Sequence, residues 1–500
     1  MENRSLDQRL YCRIKKTIDH IWFFFKIHEN LIFNSSFIVL SVLSAFYIFI
    51  ISLNTVPREI NMGKDAALYL RMAETWLKGQ IYIDVNYDFG LSLFMIPVIL
   101  LGSAFSIDSI QSLILFFSLV GCVNMFLVTI LSNDLTKNKW SRHLAVIFVI
   151  IDFNLVYLSV RPLTDTFHAM LILVIILIQI KLLKYLNEDT ETQNFNIRTP
   201  LLAMSLGVCL GLLTTIRHAA LILLILISLL WGVYIFRSRT SMRSKIKLIS
   251  LIVLPASIIT ISYLFSRCAI LGDIKYFFYF GANSNIWVDS YSEQWYYVHQ
   301  GLPNPTFREY LQTHSLSYIV QREFLGVFQI LREQFIGQYS NLLFFLALGV
   351  FVIFRKNYRI NLILLAPVFY TLVVYGWLWS IWPYSLRPVR YLLPVLYLAY
   401  LIIVYAIHYL VVEIENIQTS AKSKDVCIGL SVFSVCLYLI IRASIHFTKF
   451  LVLTNGFDFP VKTAVIALTL ILGIFIVVFY PKKTKESTID NLRSVIQRYL

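Results

Sequence analysis

Apolar runs long enough to cross a bilayer recur through most of the chain, separated by short polar stretches. They lie near residues 36–53, 110–131, 143–160, 166–185, 200–216, 218–236, 247–266, 339–355, 360–380, 391–411, 426–443 and 462–480. A spanning helix needs roughly 17–25 mostly apolar residues, so these twelve runs predict twelve transmembrane helices. Residues 91–102 form a shorter run broken by Pro97, which predicts a re-entrant or interfacial helix. The fold class expected is an all-α polytopic membrane protein.

The polar stretches alternate in sign. Placing both termini in the cytoplasm puts Arg4–Lys26, Lys137, Lys139, Arg142, the group from Arg237 to Lys247, Arg355, Lys356, Arg359 and the tail Lys482, Lys483 and Lys485 on the inner side, as the positive-inside rule requires. Most acids then face out, among them Glu59, Asp65, Glu74, Asp84, Asp88, Asp165, Asp289, Glu293 and Glu323. The chain divides into a cytoplasmic amphipathic segment 1–35, a core 36–266 containing an outer loop 54–109, a large outer loop 267–338, C-terminal helices 339–480 and a cytoplasmic tail 481–500. Within the first segment, residues 11–25 carry Arg13, Lys15 and Lys16 beside Ile18, Ile21, Trp22 and Phe25, the pattern of a helix lying on a membrane surface.

Composition agrees with this reading. Hydrophobic residues are 58% of 500, charged residues 14%, and the mean hydropathy is +0.72. The net charge of +15 is spread over short loops that face anionic lipid, so it points to membrane and not to nucleic acid. The six cysteines, Cys12, Cys122, Cys209, Cys268, Cys427 and Cys436, show no CxxC spacing and read as packing residues. No phosphate-binding glycine motif is present.

Chemistry concentrates on the outer side. Asp65 opens an acid-bearing loop; Arg161-Pro-Leu-Thr-Asp165 joins two spans; Arg217-His218 interrupts the apolar stretch from 200 to 236; Arg387 and Arg390 precede the run at 391. Ionisable groups at membrane depth are costly and mark function or pairing. Two bland alternatives stand beside that reading: Asp165 pairs with Arg161 as a structural bridge, and Arg217 snorkels to the headgroups. Two guanidinium groups at Arg387 and Arg390 suit a phosphate. The aromatic loop 267–338, with Glu293 and Trp295, suits a sugar, whose C–H faces pack on rings and whose hydroxyls take acids; an aromatic belt at the headgroups is the alternative. An acid beside arginines suggests transfer from a phosphate-linked lipid, the carboxylate taking a proton and the cations stabilising the departing phosphate.

The spacing Asp65, Tyr69, Ala73, Gly79, Tyr82, followed by Asp165 in the next outer loop, resembles the GT-C superfamily of integral membrane glycosyltransferases. That group includes protein mannosyltransferases, aminoarabinose transferases, oligosaccharyltransferases and O-antigen glucosyltransferases. The resemblance implies that Asp65 is the catalytic base and that Asp165 organises the site or a divalent cation such as Mg or Mn; Tyr69, Arg161, Arg217, Arg387 and Arg390 are the expected substrate contacts. The expected activity is hexosyl transfer from a polyprenyl-phosphate sugar to a lipid-linked or cell-envelope glycan outside a bacterial inner membrane. The chain departs from the superfamily in three places: Lys64 precedes Asp65 where many relatives carry a second acid, Asp88-Phe-Gly90 replaces a Pro-rich entry to the short helix, and Thr164 and Thr166 flank Asp165 so that no DxD pair forms. A polysaccharide polymerase and a lipid-linked sugar flippase are the competing expectations. No internal repeat of the kind common in transporters is visible.

Overall fold

The computed structural model describes residues 29–62, 64–83, 87–192, 197–238, 241–274, 287–293, 296, 307–336, 342–356, 358–381 and 389–416. The amphipathic segment before residue 29 and the apolar runs at 426–443 and 462–480 lie outside them. Helices account for nearly all of the described residues, and no strand occurs among them. They are α1 Glu29–Met62, α2 Lys64–Leu77, α3 Gly90–Ala104, α4 Ser109–Thr136, α5 Lys139–Ile151, α6 Phe153–Ser159, α7 Thr164–Thr192, α8 Arg198–Ile216, α9 Leu221–Arg237, α10 Met242–Leu271, α11 Phe307–Thr313, α12 Leu316–Ile330, α13 Leu343–Lys356, α14 Tyr358–Ile381 and α15 Leu393–Asn416. Among the described residues, eight segments are long and apolar enough to cross a membrane, from Asn34–Asn61 to Arg390–Leu410.

Two of the expected spans fall short. The run at 143–160 is cut in two because Asp152 leaves the helical conformation and caps α6, its carboxylate accepting from the Leu155 amide at 3.3 Å. Asp152 is buried, and the Tyr400 hydroxyl donates to it at 2.8 Å, so the break is anchored to α15. The run at 339–355 yields only the short α13.

Local signals explain most of the ends. Asp108 caps α4 through the Gln111 amide at 2.8 Å, and Ser241 caps α10 through the Ser244 amide at 3.3 Å. Gly79 (φ 75°) ends α2 and Gly272 (φ 76°) ends α10, each in the left-handed conformation that glycine adopts without a Cβ penalty.

Close helix packing sets the frame of the site. On α8, Gly207 and Gly211 form a small-xxx-small face against α10, where a Cβ on Gly207 would sit 2.3 Å from the Ile252 carbonyl. The Thr214 and Thr260 hydroxyls then meet at 2.8 Å. Gly90, the first residue of α3, is equally tight, since a Cβ there would lie 2.2 Å from the Thr215 carbonyl near the end of α8. Helix α3 begins beside Thr215, near the end of α8, and ends beside Ser112, in the first turn of α4. The most enclosed span is Arg390–Leu410, with 83% of its apolar window buried against 33% for Met242–Leu271. Arg390, at the start of that central span, therefore enters the middle of the fold.

Candidate active site

Five chain segments meet at one end of the bundle: the first turn of α2, the loop before α3, the α6–α7 junction, the α8–α9 junction and the start of α15. Asp65 sits in the first turn of α2, where a carboxylate is favoured by the helix dipole. Arg390 Nη2 donates to Asp65 Oδ2 at 2.6 Å, and the Tyr87 hydroxyl donates to Oδ1 at 2.9 Å. Burial alone would raise the Asp65 carboxyl. The Arg390 charge and hydrogen bond, the Tyr87 hydrogen bond and the more distant Arg161 charge outweigh it and hold the group below the usual carboxylate range.

Arg390 also reaches the second acid, its Nε lying 3.5 Å from Asp165 Oδ2. The other Asp165 oxygen faces Arg217 Nη2 at 2.7 Å, a charge contact without the alignment of a hydrogen bond. Arg217 is boxed by aromatics. Its Nη1 donates to the Tyr375 hydroxyl at 2.6 Å, and its guanidinium lies 4.3 Å from the ring centre of Tyr391 and 5.3 Å from that of Tyr375. Arg217 therefore does not snorkel, and Asp165 does not pair with Arg161. Arg161 instead bonds Glu59 at the end of α1, at 2.6 Å, while Tyr157 donates to the other Glu59 oxygen at 2.9 Å.

A second ionic knot lies behind the first. Asp88 accepts from the His218 backbone amide at 3.0 Å, from the Tyr263 hydroxyl at 2.9 Å and from Arg267 Nη1 at 3.1 Å. His218 Nδ1 lies 2.8 Å from both Asp88 Oδ1 and Arg267 Nη1, and one ring nitrogen either donates to the acid or accepts from the arginine. Burial raises the Asp88 carboxyl, but His218 and then Arg267 outweigh it and lower the net value. The dipeptides Tyr87-Asp88 and Arg217-His218 thus act as paired clasps. One member of each serves the Asp65–Asp165 centre and the other joins the knot.

The remaining motif positions are largely architectural. Ala73 is fully buried, Gly79 ends the helix, and the Tyr82 carbonyl accepts from Trp76 Nε1 at 2.7 Å. Tyr69 is buried with its ring edge-on to Tyr87, and burial, then the charges of Asp88 and Asp65, push its hydroxyl well above the ordinary range. Glu293 accepts from the Asp289 amide at 2.8 Å. Arg387 and Trp295 lie outside the described residues. The structure thus brings together Asp65, Asp165, Arg217, Arg390 and Tyr69, with Arg161 alongside.

Sequence reasoning counted Asp88 among the outer acids but gave it no individual role, and it gave none to Tyr87, Tyr263, Arg267, Tyr375 or Tyr391. Arg267 also carried a signal, an arginine closing an apolar run; it is fully buried.

A divalent cation fits this arrangement poorly. Both acids already face guanidinium groups, and no group of three or more His, Cys, Asp or Glu converges as a metal site among the described residues.

No protein-family model matches the chain, and no curated protein matches it. Solved structures do. ArnT from Cupriavidus metallidurans, in the apo state, aligns at a TM-score of 0.50 and 12% identity over 89% of this chain and 76% of that one. The archaeal oligosaccharyltransferase AglB from Archaeoglobus fulgidus, in complex with an inhibitory peptide and a dolichol-phosphate, aligns at 0.48 and 14% identity over 88% of this chain and 56% of that one. A further structure of the Archaeoglobus enzyme, with Zn and sulfate, aligns at 0.47 and 13% identity, and the chain spans about half its length, 52%. The likeness shows an all-α fold shared with ArnT, and the long apolar helices mark an integral membrane protein.

Proposed function

We propose that the protein transfers a sugar from a polyprenyl-phosphate donor to a lipid-linked or cell-envelope glycan on the extracytoplasmic face of a bacterial inner membrane. The observation that carries this reading is the constellation of Asp65, Arg390, Asp165 and Arg217 at one end of a GT-C bundle, an acid with two guanidinium groups within reach of the same small volume. The ArnT likeness, which concerns fold, is compatible with it.

In the reaction Asp65 takes the proton of an acceptor hydroxyl. The acceptor oxygen bonds to the anomeric carbon, the bond from that carbon to the phosphate oxygen breaks, and the electron pair leaves with the lipid phosphate. Arg390 and Arg217 offset the charge that develops on the leaving group, and such preorganised donors are usually the largest catalytic contribution. Asp165 holds both arginines in place. Tyr69 and Arg161 line the approach, and the large loop selects the acceptor.

The test is the mass of the surface glycan from a bacterial host carrying the wild-type chain or Asp65→Asn at equal membrane levels. A gain of one hexose per repeat that disappears in the variant is expected. A change in chain length that survives the substitution would replace this reading with a polymerase.

A further inference from the structure

The ionic pairs around the centre close on themselves. Glu59 faces Arg161, Asp165 faces Arg217, and Asp65 faces Arg390, so three acids meet three guanidinium groups. Among the described residues, a phosphate arriving at this centre competes with an acid for the N–H groups of one of these arginines. The geometry identifies which one.

Arg217 is held on every side, by the Tyr375 hydroxyl, by the rings of Tyr375 and Tyr391, which themselves stack at 4.8 Å, and by Asp165, whose side chain is 4% exposed. Arg161 is turned to Glu59 and bonded at 2.6 Å. Arg390 is different. It is divided between two acids, with one short bond to Asp65 and a loose 3.5 Å approach to Asp165 in which Nε makes no hydrogen bond. The Arg390–Asp65 pair is also the most open of the pairs around the centre, with side chains 21% and 27% exposed. Solvent weakens such a pair, and a phosphate oxygen can compete for the same N–H.

Resting on the reading of the donor as a lipid phosphodiester, we propose that Arg390 is an exchangeable counter-ion, taken from Asp65 by the entering phosphate while its contact with Asp165 persists. Exchange couples two requirements of the transfer. A carboxylate clamped by a guanidinium is a poor base, and losing the clamp restores its basicity. The base is thereby released in the step that brings the leaving group under a positive charge, while Tyr87 keeps Asp65 in position. An acceptor hydroxyl arriving before the donor meets a neutralised acid.

The exchange predicts opposite effects of two substitutions on binding, independent of turnover. Binding of a polyprenyl phosphate to the purified full-length protein in detergent is measured for wild type, Asp65→Asn, Arg390→Ala, Arg390→Lys and the Asp65→Asn/Arg390→Ala double variant. Asp65→Asn removes the competitor and tightens binding by about tenfold, the scale of one modest ion pair. Arg390→Ala weakens binding by about tenfold or more, Arg390→Lys recovers part of it, and the double variant matches Arg390→Ala. Unchanged or weaker binding by Asp65→Asn overturns the exchange, and so does tightening that persists without Arg390, which would signal bulk electrostatics. If the folded wild-type protein binds no polyprenyl phosphate, the functional reading fails and the exchange with it. Binding by wild type without the sign reversal removes the exchange alone.

Discussion

Arg390 Nη2 lies 2.6 Å from Asp65 Oδ2, although 325 positions separate them in the chain. The contact joins the first turn after the first span to the entrance of the most enclosed one. Because Arg390 also approaches Asp165, one side chain ties together the two acids that define the centre. Arg390→Lys keeps the charge but loses the planar fork, and transfer should fall about 10- to 100-fold with membrane levels unchanged. Glycan mass spectrometry on matched membranes checks this.

The Asp165–Arg217 pair is nearly sealed from solvent, with side chains 4% and 13% exposed. Removing one partner from such a pair leaves an uncompensated charge and costs about 3–5 kcal/mol. Asp165→Asn should therefore lower the melting temperature in detergent clearly. The Asp165→Asn/Arg217→Gln double variant should recover part of the loss while remaining inactive. A double variant no more stable than the single one would mean that the pair is not coupled.

Gly90 tests whether the approach of α3 to α8 positions the loop that carries Tyr87 and Asp88. A methyl group there would lie 2.2 Å from a backbone carbonyl, which cannot yield as a flexible side chain would. Gly90→Ala should cost about 1–3 kcal/mol and reduce transfer by shifting both clasps. Gly79→Ala meets nothing within 4 Å and carries only the penalty of its positive φ, about 1 kcal/mol. Thermal unfolding of the two variants separates steric crowding from backbone strain.

Glu323, on α12, has one carboxylate oxygen with no hydrogen-bond partner, and a Cβ on Gly376 of α14 would sit 2.3 Å from it. Burial pushes its carboxyl up to about 7. A folded-state value above the unfolded one means that the folded protein holds the proton more tightly. The stability this contributes is full below the unfolded value of about 4.3 and is lost as pH rises through about 7. Glu323→Gln should remove that slope and make the protein more stable than wild type at pH 8, as read by unfolding midpoints between pH 5 and 8.

Asp289 has the opposite sign. It accepts from the hydroxyls of Tyr310 (2.6 Å) and Tyr318 (3.2 Å) and from Arg322 Nη1 (2.7 Å), with His314 Nε2 at 3.0 Å. Burial raises its carboxyl, but the Tyr310 bond, His314, Tyr318 and Arg322 together outweigh it and bring the balance below the ordinary value. The stability it lends is complete above about pH 4 and is lost as pH falls through the lowered value. Protease cleavage of the segment around residues 307–330 should therefore rise only in strong acid, and Asp289→Asn should make it sensitive at neutral pH.

The chain alone determined the membrane class, most of its spanning helices and the acids and arginines that gather at one end. Apolar run length and the spacing of charges are local properties, set by the thickness of a bilayer and the cost of burying charge. Asp65 and Asp165 stood out because few other residue types are tolerated so rarely in such surroundings. The tertiary structure alone decided the partners. Arg161 chose Glu59 over the nearby Asp165, Arg217 turned inward between Tyr375 and Tyr391, and Asp88 collected His218, Tyr263 and Arg267 from two other elements. Any acid at that end could have met any arginine there, and the packing of the helices, tight at Gly90, Gly207 and Gly211, sets the distances that choose among them. Asp152 shows the same limit within a single run, since its cap divides an apolar stretch whose composition alone reads as one continuous span.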